Sequence, residues 1–256
     1  MEQITSRANK LMVRVKKLRD DRKQRRKEGV YLCDGVKMLE EAIKWHAPIE
    51  TVIFSQGLEH TPVPDGVRAA VVPEDLMRAI SPMDAPQGAL FLVKAPALTP
   101  PQVLPGKRYL VLDGLQDPGN VGTILRTADA FGCDGLLLVN HCADPFNPKT
   151  VRATMGAIFR TPVWEVSQDE LLPLLERSGL KLCATALRED TVSLPQAELG
   201  RCAVIIGSEG KGVCDQLLAC CAHTIRIPME PTCESLNAAM AAAVVLWEMY
   251  RRDGVC

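Results

Sequence analysis

The chain has 256 residues, 47% of them apolar and 24% charged, with a net charge of −1. That length accommodates one large domain or a medium domain plus a smaller one, and the composition excludes collagen-like, disordered and membrane-embedded classes. The start is polar and then basic, without the apolar core of a signal peptide, and the longest apolar run, Ala238 to Trp247, is about half a bilayer span. A soluble, cytoplasmic protein that makes no membrane contact is expected.

From Ile4 to Lys27 the pattern predicts one helix, with Leu11, Val15 and Leu18 as a narrow apolar stripe beneath a basic face. Between Arg7 and Glu28 stand eleven Lys or Arg against three acids, a net +8, so the remaining chain carries −9. A solvated helix usually alternates its signs, and this run does not. Attraction to a phosphate backbone explains it better, with Arg7, Lys10, Arg14, Lys17, Arg22, Arg25 and Arg26 as the candidate contacts. Aromatics make up only 4% of the chain, so extensive base stacking on a Phe/Tyr platform is not the expected mode.

Strand Val30–Cys33, helix Val36–Trp45, strand Thr51–Phe54, strand Val67–Val72, helix Glu74–Ile80 and strand Ala89–Val93 follow, a small α/β domain over residues 1–95. Residues 96–106 contain Pro96, Pro100, Pro101 and Pro105 and are expected to be a linker. Residues 107–256 alternate again. Strands are predicted at Tyr109–Leu112, Gly135–Val139, Thr161–Val166, Lys181–Ala186, Ala203–Ile206 and Thr224–Ile227, and helices at Val121–Phe131, Lys149–Ala157, Asp169–Arg177 and Leu236–Arg252. Leu136–Val139 and Ala203–Ile206 are apolar on both faces, as a helix-covered parallel sheet requires, so this part is read as a Rossmann-like α/β domain.

The ten cysteines include no C-x-x-C pair, and reduced, buried thiols with no metal are expected. Three segments concentrate the remaining chemistry. Asp113-Gly-Leu-Gln-Asp-Pro-Gly-Asn-Val-Gly122 turns from a strand into a helix for which Asn120 is a suitable N-cap. Arg126 on that helix leans towards an N-terminus that attracts anions; a capped turn with Arg126 paired to Asp129 explains the segment equally well. Gly207-Ser-Glu-Gly-Lys-Gly212 follows a strand and permits close backbone approach to a ligand. It is neither a P-loop nor G-x-G-x-x-G, which disfavours a nucleotide-dependent oxidoreductase. A tight loop is the simpler alternative, but Glu209 amid the glycines has no structural reason. Ile227-Pro-Met-Glu-Pro-Thr-Cys-Glu-Ser-Leu-Asn-Ala-Ala-Met240 leads into the last helix, where Ser235 is a possible cap and Leu236, Met240, Val244 and Trp247 are expected in the core. Asn237 at the polar start of that helix needs a hydrogen-bond partner.

In order and spacing the three segments resemble the SpoU/TrmH family of SPOUT methyltransferases, and Gly29-Val-Tyr-Leu-Cys-Asp-Gly35 is similar to that family's RNA-binding extension, itself like certain ribosomal proteins. The resemblance covers nearly the whole chain. It implies a sheet with a C-terminal deep trefoil knot, an exception to the rule of unknotted chains, and a homodimer with the knot near its interface. It implies transfer of a methyl group from S-adenosylmethionine to a ribose 2′-hydroxyl of ribosomal or transfer RNA, a catalytically silent RNA-binding relative being the alternative. Carried over by motif, Asn120, Arg126, Glu209, Ser235 and Asn237 are the expected catalytic set, and Thr185, Gly207, Ile227, Met229 and Leu236 the expected cofactor contacts. The family's proposal for Arg126 is proton abstraction; because a guanidinium is effectively always protonated, stabilising an alkoxide and anchoring a phosphate is physically cheaper. Pro231 departs from the glycine common in relatives and removes one N–H from that loop.

Overall fold

A computed structural model describes residues 1–58, 60–186, 188, 191–233 and 235–252. The chain divides into two compact units, residues 1–96 with 144–160, and residues 97–143 with 161–256.

The first unit begins with β1 (Glu2–Gln3), α1 (Lys10–Asp20) and α2 (Arg22–Glu28). The single helix predicted over Ile4–Lys27 is thus two. Asp21 leaves the helical region at φ −118°, and its carboxylate accepts the Lys23 N–H to cap α2, as Asn9 caps α1 through Leu11. Leu11, Val15 and Leu18 are buried as their spacing required. There follow β2 (Val30–Asp34), α3 (Val36–Lys44), β3 (Ile49–Ser55), β4 (Arg68–Val72), α4 (Glu74–Ile80) and β5 (Ala89–Lys94). The sheet order is β1-β4-β3-β5-β2, with β1, β4 and β3 parallel and β5 antiparallel to both β3 and β2.

The second unit opens with β6 (Arg108–Asp113), α5 (Pro118–Ala130) and β7 (Gly135–Val139). The segment expected as a proline-rich linker over residues 96–106 is irregular, and from Ala97 it packs on this unit: Leu104 is buried, its N–H donates to the Ser178 hydroxyl at 2.9 Å, and the Glu165 N–H donates to the Leu98 carbonyl at 2.7 Å. Proline density forbids regular structure there without forbidding burial.

After β7 the chain returns to the first unit for residues 144–160, which carry α6 (Pro148–Ala153) and a single 3-10 turn at Ala157–Phe159. The sequence placed this segment with the catalytic domain; its partners lie elsewhere. Phe146 stacks on Tyr31 at 4.8 Å, and Arg160 pairs with Glu41 at 2.7 Å. Arg25, counted above among the phosphate contacts, is only 4% exposed. Its Nε and Nη2 donate to Asp144 Oδ2 at 3.0 and 2.7 Å, and its Nη1 to the Leu18 and Arg19 carbonyls. Four of its five N–H donors are so engaged and the group is buried, so it has no face to offer RNA and Arg25 leaves the list. Arg14 is held between Glu28 and Glu50, and Arg7 meets Asp75 at 3.5 Å, whereas Lys10 and Lys17 are exposed.

The second unit continues through β8 (Val163–Glu165), α7 (Gln168–Arg177), β9 (Lys181–Thr185), β10 (Val192–Ser193), β11 (Cys202–Gly207), α8 (Asp215–Ala219), β12 (His223–Arg226) and α9 (Ala238–Arg251). Its seven strands run parallel in the order β10-β12-β9-β11-β6-β7-β8, the helix-covered parallel sheet expected. The core contains Tyr109, Val111, Leu137, Leu174, Ala203 and Ile205.

Leu236, Met240, Val244 and Trp247 are not in that core but 37–55% exposed. Helix α9 is apolar around most of its circumference, and it buries its smaller side, Ala238, Ala239, Ala242 and Val245, together with Leu246 and Met249. Periodicity identified an apolar stripe correctly and could not tell which stripe faces inward.

Candidate active site

Ligands of open parallel sheets bind beyond the carboxyl ends of the strands, where the strand order reverses. Here β11 lies between β6 and β9, and the carboxyl ends of β9, β11 and β12 border a cavity of about 420 Å³, within the usual range for small-molecule sites. Its walls are Thr185 and Ala186 from β9, Ile206 to Glu209 and Gly212 around β11, Ile225 to Ile227 and Met229 after β12, and Ser235 to Ala238 with Ala241 at the start of α9.

The loop after β11 has its shape because Gly207 has no side chain. A Cβ there would stand 2.2 Å from the Gly212 carbonyl carbon and 2.4 Å from the Val213 nitrogen, both backbone atoms that cannot swing away. Ser208 and Gly212 exchange backbone hydrogen bonds at 3.1 and 2.8 Å, and Gly212 takes φ +67°, closing a tight loop with Glu209 at its tip.

Asn120 is not the N-cap the sequence suggested. Asp117 caps α5 by accepting the Gly119 N–H, Pro118 occupies the first turn, and Asn120 lies inside it. That frees its amide to join the other two segments. At α9 the cap is Asn237, not Ser235: Asn237 Oδ1 accepts the Ala239 and Met240 N–H groups at 2.9 and 3.3 Å. With its oxygen so engaged, its Nδ2 donates to Asn120 Oδ1 at 3.2 Å, and Asn120 Nδ2 donates to Glu209. The three separated segments therefore meet in one directed chain, Asn237 to Asn120 to Glu209, which fixes the orientation of both amides.

Ser235 lines the cavity, as do all five expected cofactor contacts, Thr185, Gly207, Ile227, Met229 and Leu236; the Thr185 hydroxyl donates to the Ile205 carbonyl at 2.9 Å. Pro231 does not line it. Arg126 is the exception. It lies on the exposed side of α5, roughly 9 Å along the axis from Asn120, does not line the cavity, and makes no hydrogen bond or ion pair among the described residues. The alternative pairing with Asp129 is not formed.

One positioning residue escaped the sequence. Asp113, buried at the end of β6, accepts the Asn140 side-chain amide and the Cys214 N–H, both at 2.7 Å, and so ties the ends of β6 and β7 to the chain leaving the Gly207–Gly212 loop. Its signal was an acid closing an apolar strand immediately before Gly114. Burial raises the neighbouring Cys214 thiol above its ordinary pKa, which keeps it protonated beside that carboxylate.

Residues 107–247 match the model of the SpoU rRNA Methylase family, and residues 9–90 that of the MRM3-like substrate binding domain. The chain belongs to the SpoU rRNA methylase family. Among its relatives is the Bacillus subtilis 23S rRNA (guanosine(2553)-2′-O)-methyltransferase RlmP, 32% identical over 97% of this chain and 99% of that one. A Streptomyces viridochromogenes 23S rRNA (uridine(2479)-2′-O)-methyltransferase is 29% identical over 91% and 86%. Two solved structures bear the same likeness. The AdoMet-bound rRNA methyltransferase of Sinorhizobium meliloti gives a TM-score of 0.88 at 28% identity, covering 98% of each chain. The S. viridochromogenes methyltransferase AviRb in complex with AdoMet gives 0.86 at 27%, covering 97% of this chain and 100% of that one. As a SpoU methylase the chain has a mixed α/β fold with a parallel sheet, and no group able to hold a metal ion occurs among the described residues. No described helix is long and apolar enough to cross a membrane.

Proposed function

We propose that this protein transfers the methyl group of S-adenosylmethionine to a ribose 2′-hydroxyl of ribosomal RNA in the cytoplasm. The observation that carries the reading is the Asn237–Asn120–Glu209 chain at the edge of the cavity floored by Gly207. The cavity suits the cofactor. Ile206, Ile225, Ile227, Leu236 and Ala241 offer apolar surface to a flat base, the exposed backbone of residues 207–208 and 227 offers polar groups where Gly207 leaves no Cβ in the way, and Ser235 and Asn237 supply side-chain donors. When bound there, S-adenosylmethionine supplies the electrophilic methyl group.

The chain's own residues do the rest. Glu209, receiving the Asn120 amide, is held rigidly at the rim, where its carboxylate can accept a ribose hydroxyl. The Ser235 hydroxyl, beside the Asn237 cap, is a second contact able to donate or accept. A ribose hydroxyl is a poor nucleophile, so the group that favours its loss of a proton governs the rate, and Arg126 is assigned to stabilising the developing alkoxide and the adjacent phosphate. The exposed Lys10 and Lys17, with Arg7, Arg22 and Arg26, give the first unit its attraction to RNA, whereas Arg14 is neutralised between Glu28 and Glu50.

The exposed apolar residues Met240, Val244 and Trp247 of α9, with Leu236 just before it, support a homodimer, since a cluster of exposed large apolar side chains marks a protein interface more often than a solvated face. A Met240→Glu, Trp247→Glu double variant is expected to sediment as a monomer where the parent sediments as a dimer; a monomeric parent sinks this part of the proposal. The C-terminal knot belongs to the same proposal, supported by the insertion of β11 between β6 and β9 after both are laid down. The function itself is tested by mapping 2′-O-methyl positions in ribosomal and transfer RNA from cells with and without the gene. Loss of one ribosomal site is expected, loss of a transfer-RNA site instead would reassign the substrate, and an unchanged map would defeat the enzymatic reading.

A further inference from the structure

Trp45 ends helix α3 on the first unit and remains 46% exposed. Its setting is not that of a stray surface residue. The indole N–H donates to Glu41 Oε2 at 3.2 Å, and Arg160 Nη1 donates to the same oxygen at 2.7 Å. The Arg160 guanidinium lies over the ring at 5.0 Å from its centroid and the Lys44 ammonium at 5.8 Å, with Lys44 also 3.8 Å from Glu41. One carboxylate therefore fixes an indole, a guanidinium and an ammonium together. The approach of residues 144–160 to α3 is close enough to require Gly156 at φ +93°, whose missing Cβ would lie 3.1 Å from Glu41 Cβ. Next to it Met155 takes φ +48° and is exposed.

We propose that Trp45 is a stacking platform for one unpaired nucleobase of the RNA, with Lys44 and Arg160 meeting the flanking phosphates. A flat ring with few rotamers, already positioned, loses little entropy on stacking, and every base offers a π-face to it. The surrounding cations are complementary to a polyanion. The bases of a duplex present no free face, so the partner is a single-stranded segment. Trp45 and Lys44 fall within the stretch matched by the substrate binding domain model. The proposal rests on the RNA substrate assigned above and is distinct from the basic run on α1 and α2, which supplies charge without an aromatic surface.

The test uses the full chain and two RNA probes of equal length, an unstructured oligoribonucleotide and a hairpin. The chain has three tryptophans, so a Trp45→Phe variant provides the fluorescence baseline. The single strand is expected to quench the parent's indole emission and leave the baseline variant unchanged, and the hairpin stem is expected to quench neither protein. Trp45→Ala is expected to weaken oligoribonucleotide binding and to raise the RNA KM, each roughly tenfold, with kcat within about twofold and the melting temperature unchanged; Trp45→Phe restores most of the loss. Equal quenching in parent and Trp45→Phe, or an Ala variant that binds the single strand as tightly as the parent, overturns the platform. If the parent transfers no methyl to RNA, the functional reading fails while the fluorescence titration still decides the platform.

Discussion

Replacing Arg126 by alanine is expected to lower kcat for methyl transfer by about 10²–10³-fold, the usual loss when a preorganised charge donor to a transition state is removed. The same change is expected to alter stability by no more than about 0.5 kcal/mol, because Arg126 is exposed on α5 and makes no hydrogen bond or ion pair among the described residues. That separation is what makes the experiment informative. Asn120 and Asn237 hold neighbouring loops in register, so their removal would disturb geometry and chemistry together. Among the described residues Arg126 holds none in place, so a lost rate is expected to come from the reaction. Arg126→Lys then divides the two roles. A charge-only role is served in part by an ammonium, whereas a bidentate phosphate clamp needs the planar guanidinium. Retained kcat with a raised RNA KM would assign it to anchoring, and activity of Arg126→Ala within threefold of the parent would remove it from the site.

The second large effect concerns folding. Asp144→Ala is expected to destabilise the first unit by about 3–5 kcal/mol, the cost of leaving a buried guanidinium without its counter-charge. Arg25 stays surrounded in that variant. Its Nη1 keeps the Leu18 and Arg19 carbonyls, but Nε and Nη2 lose the single oxygen both of them use. Asp144 does more than neutralise, since its other carboxylate oxygen accepts the Phe146 N–H at 3.1 Å. The double variant Arg25→Met, Asp144→Leu should recover much of the loss, because two apolar side chains of similar bulk avoid the desolvation that the ion pair suffers. Urea unfolding midpoints measure both. A single variant as stable as the parent would mean that water reaches the pair and that it contributes little.

What could be foreseen in the chain follows from which physical signals are local. The strands around Leu136–Val139 and Ala203–Ile206 were legible because two-sided burial demands an unbroken apolar run, and Glu74–Ile80 because its periodicity and flanking prolines coincide. Gly207 and Glu209 were legible as a pair, since glycines around an acid have few structural uses. Helix caps were not: Asp117, Asn120, Ser235 and Asn237 are all competent caps, and only the path of the chain decided that Asp117 and Asn237 serve. Arg25 looked like its neighbours because a charge run is read by sign, while its role depends on Asp144, a residue 119 positions away. The outward Leu236–Trp247 stripe was misassigned because α9 turns Ala238, Ala239, Ala242, Val245, Leu246 and Met249 inward and leaves Met240, Val244 and Trp247 outside.

The return of residues 144–160 to the first unit means that the boundary between the two units is crossed three times, after Pro96, Ala143 and Arg160. An N-terminal appendage can be lost in evolution by a single late start codon, or exchanged by one recombination event. This one cannot. A shortened chain beginning at Ala97 would still carry the Pro148–Ala153 helix, with Phe146 stripped of Tyr31 and Asp144 of Arg25. The unit matched by the substrate binding domain model and the unit that carries the cavity are therefore interleaved in sequence, and grafting a new first unit onto this scaffold requires exchanging two stretches of sequence at once.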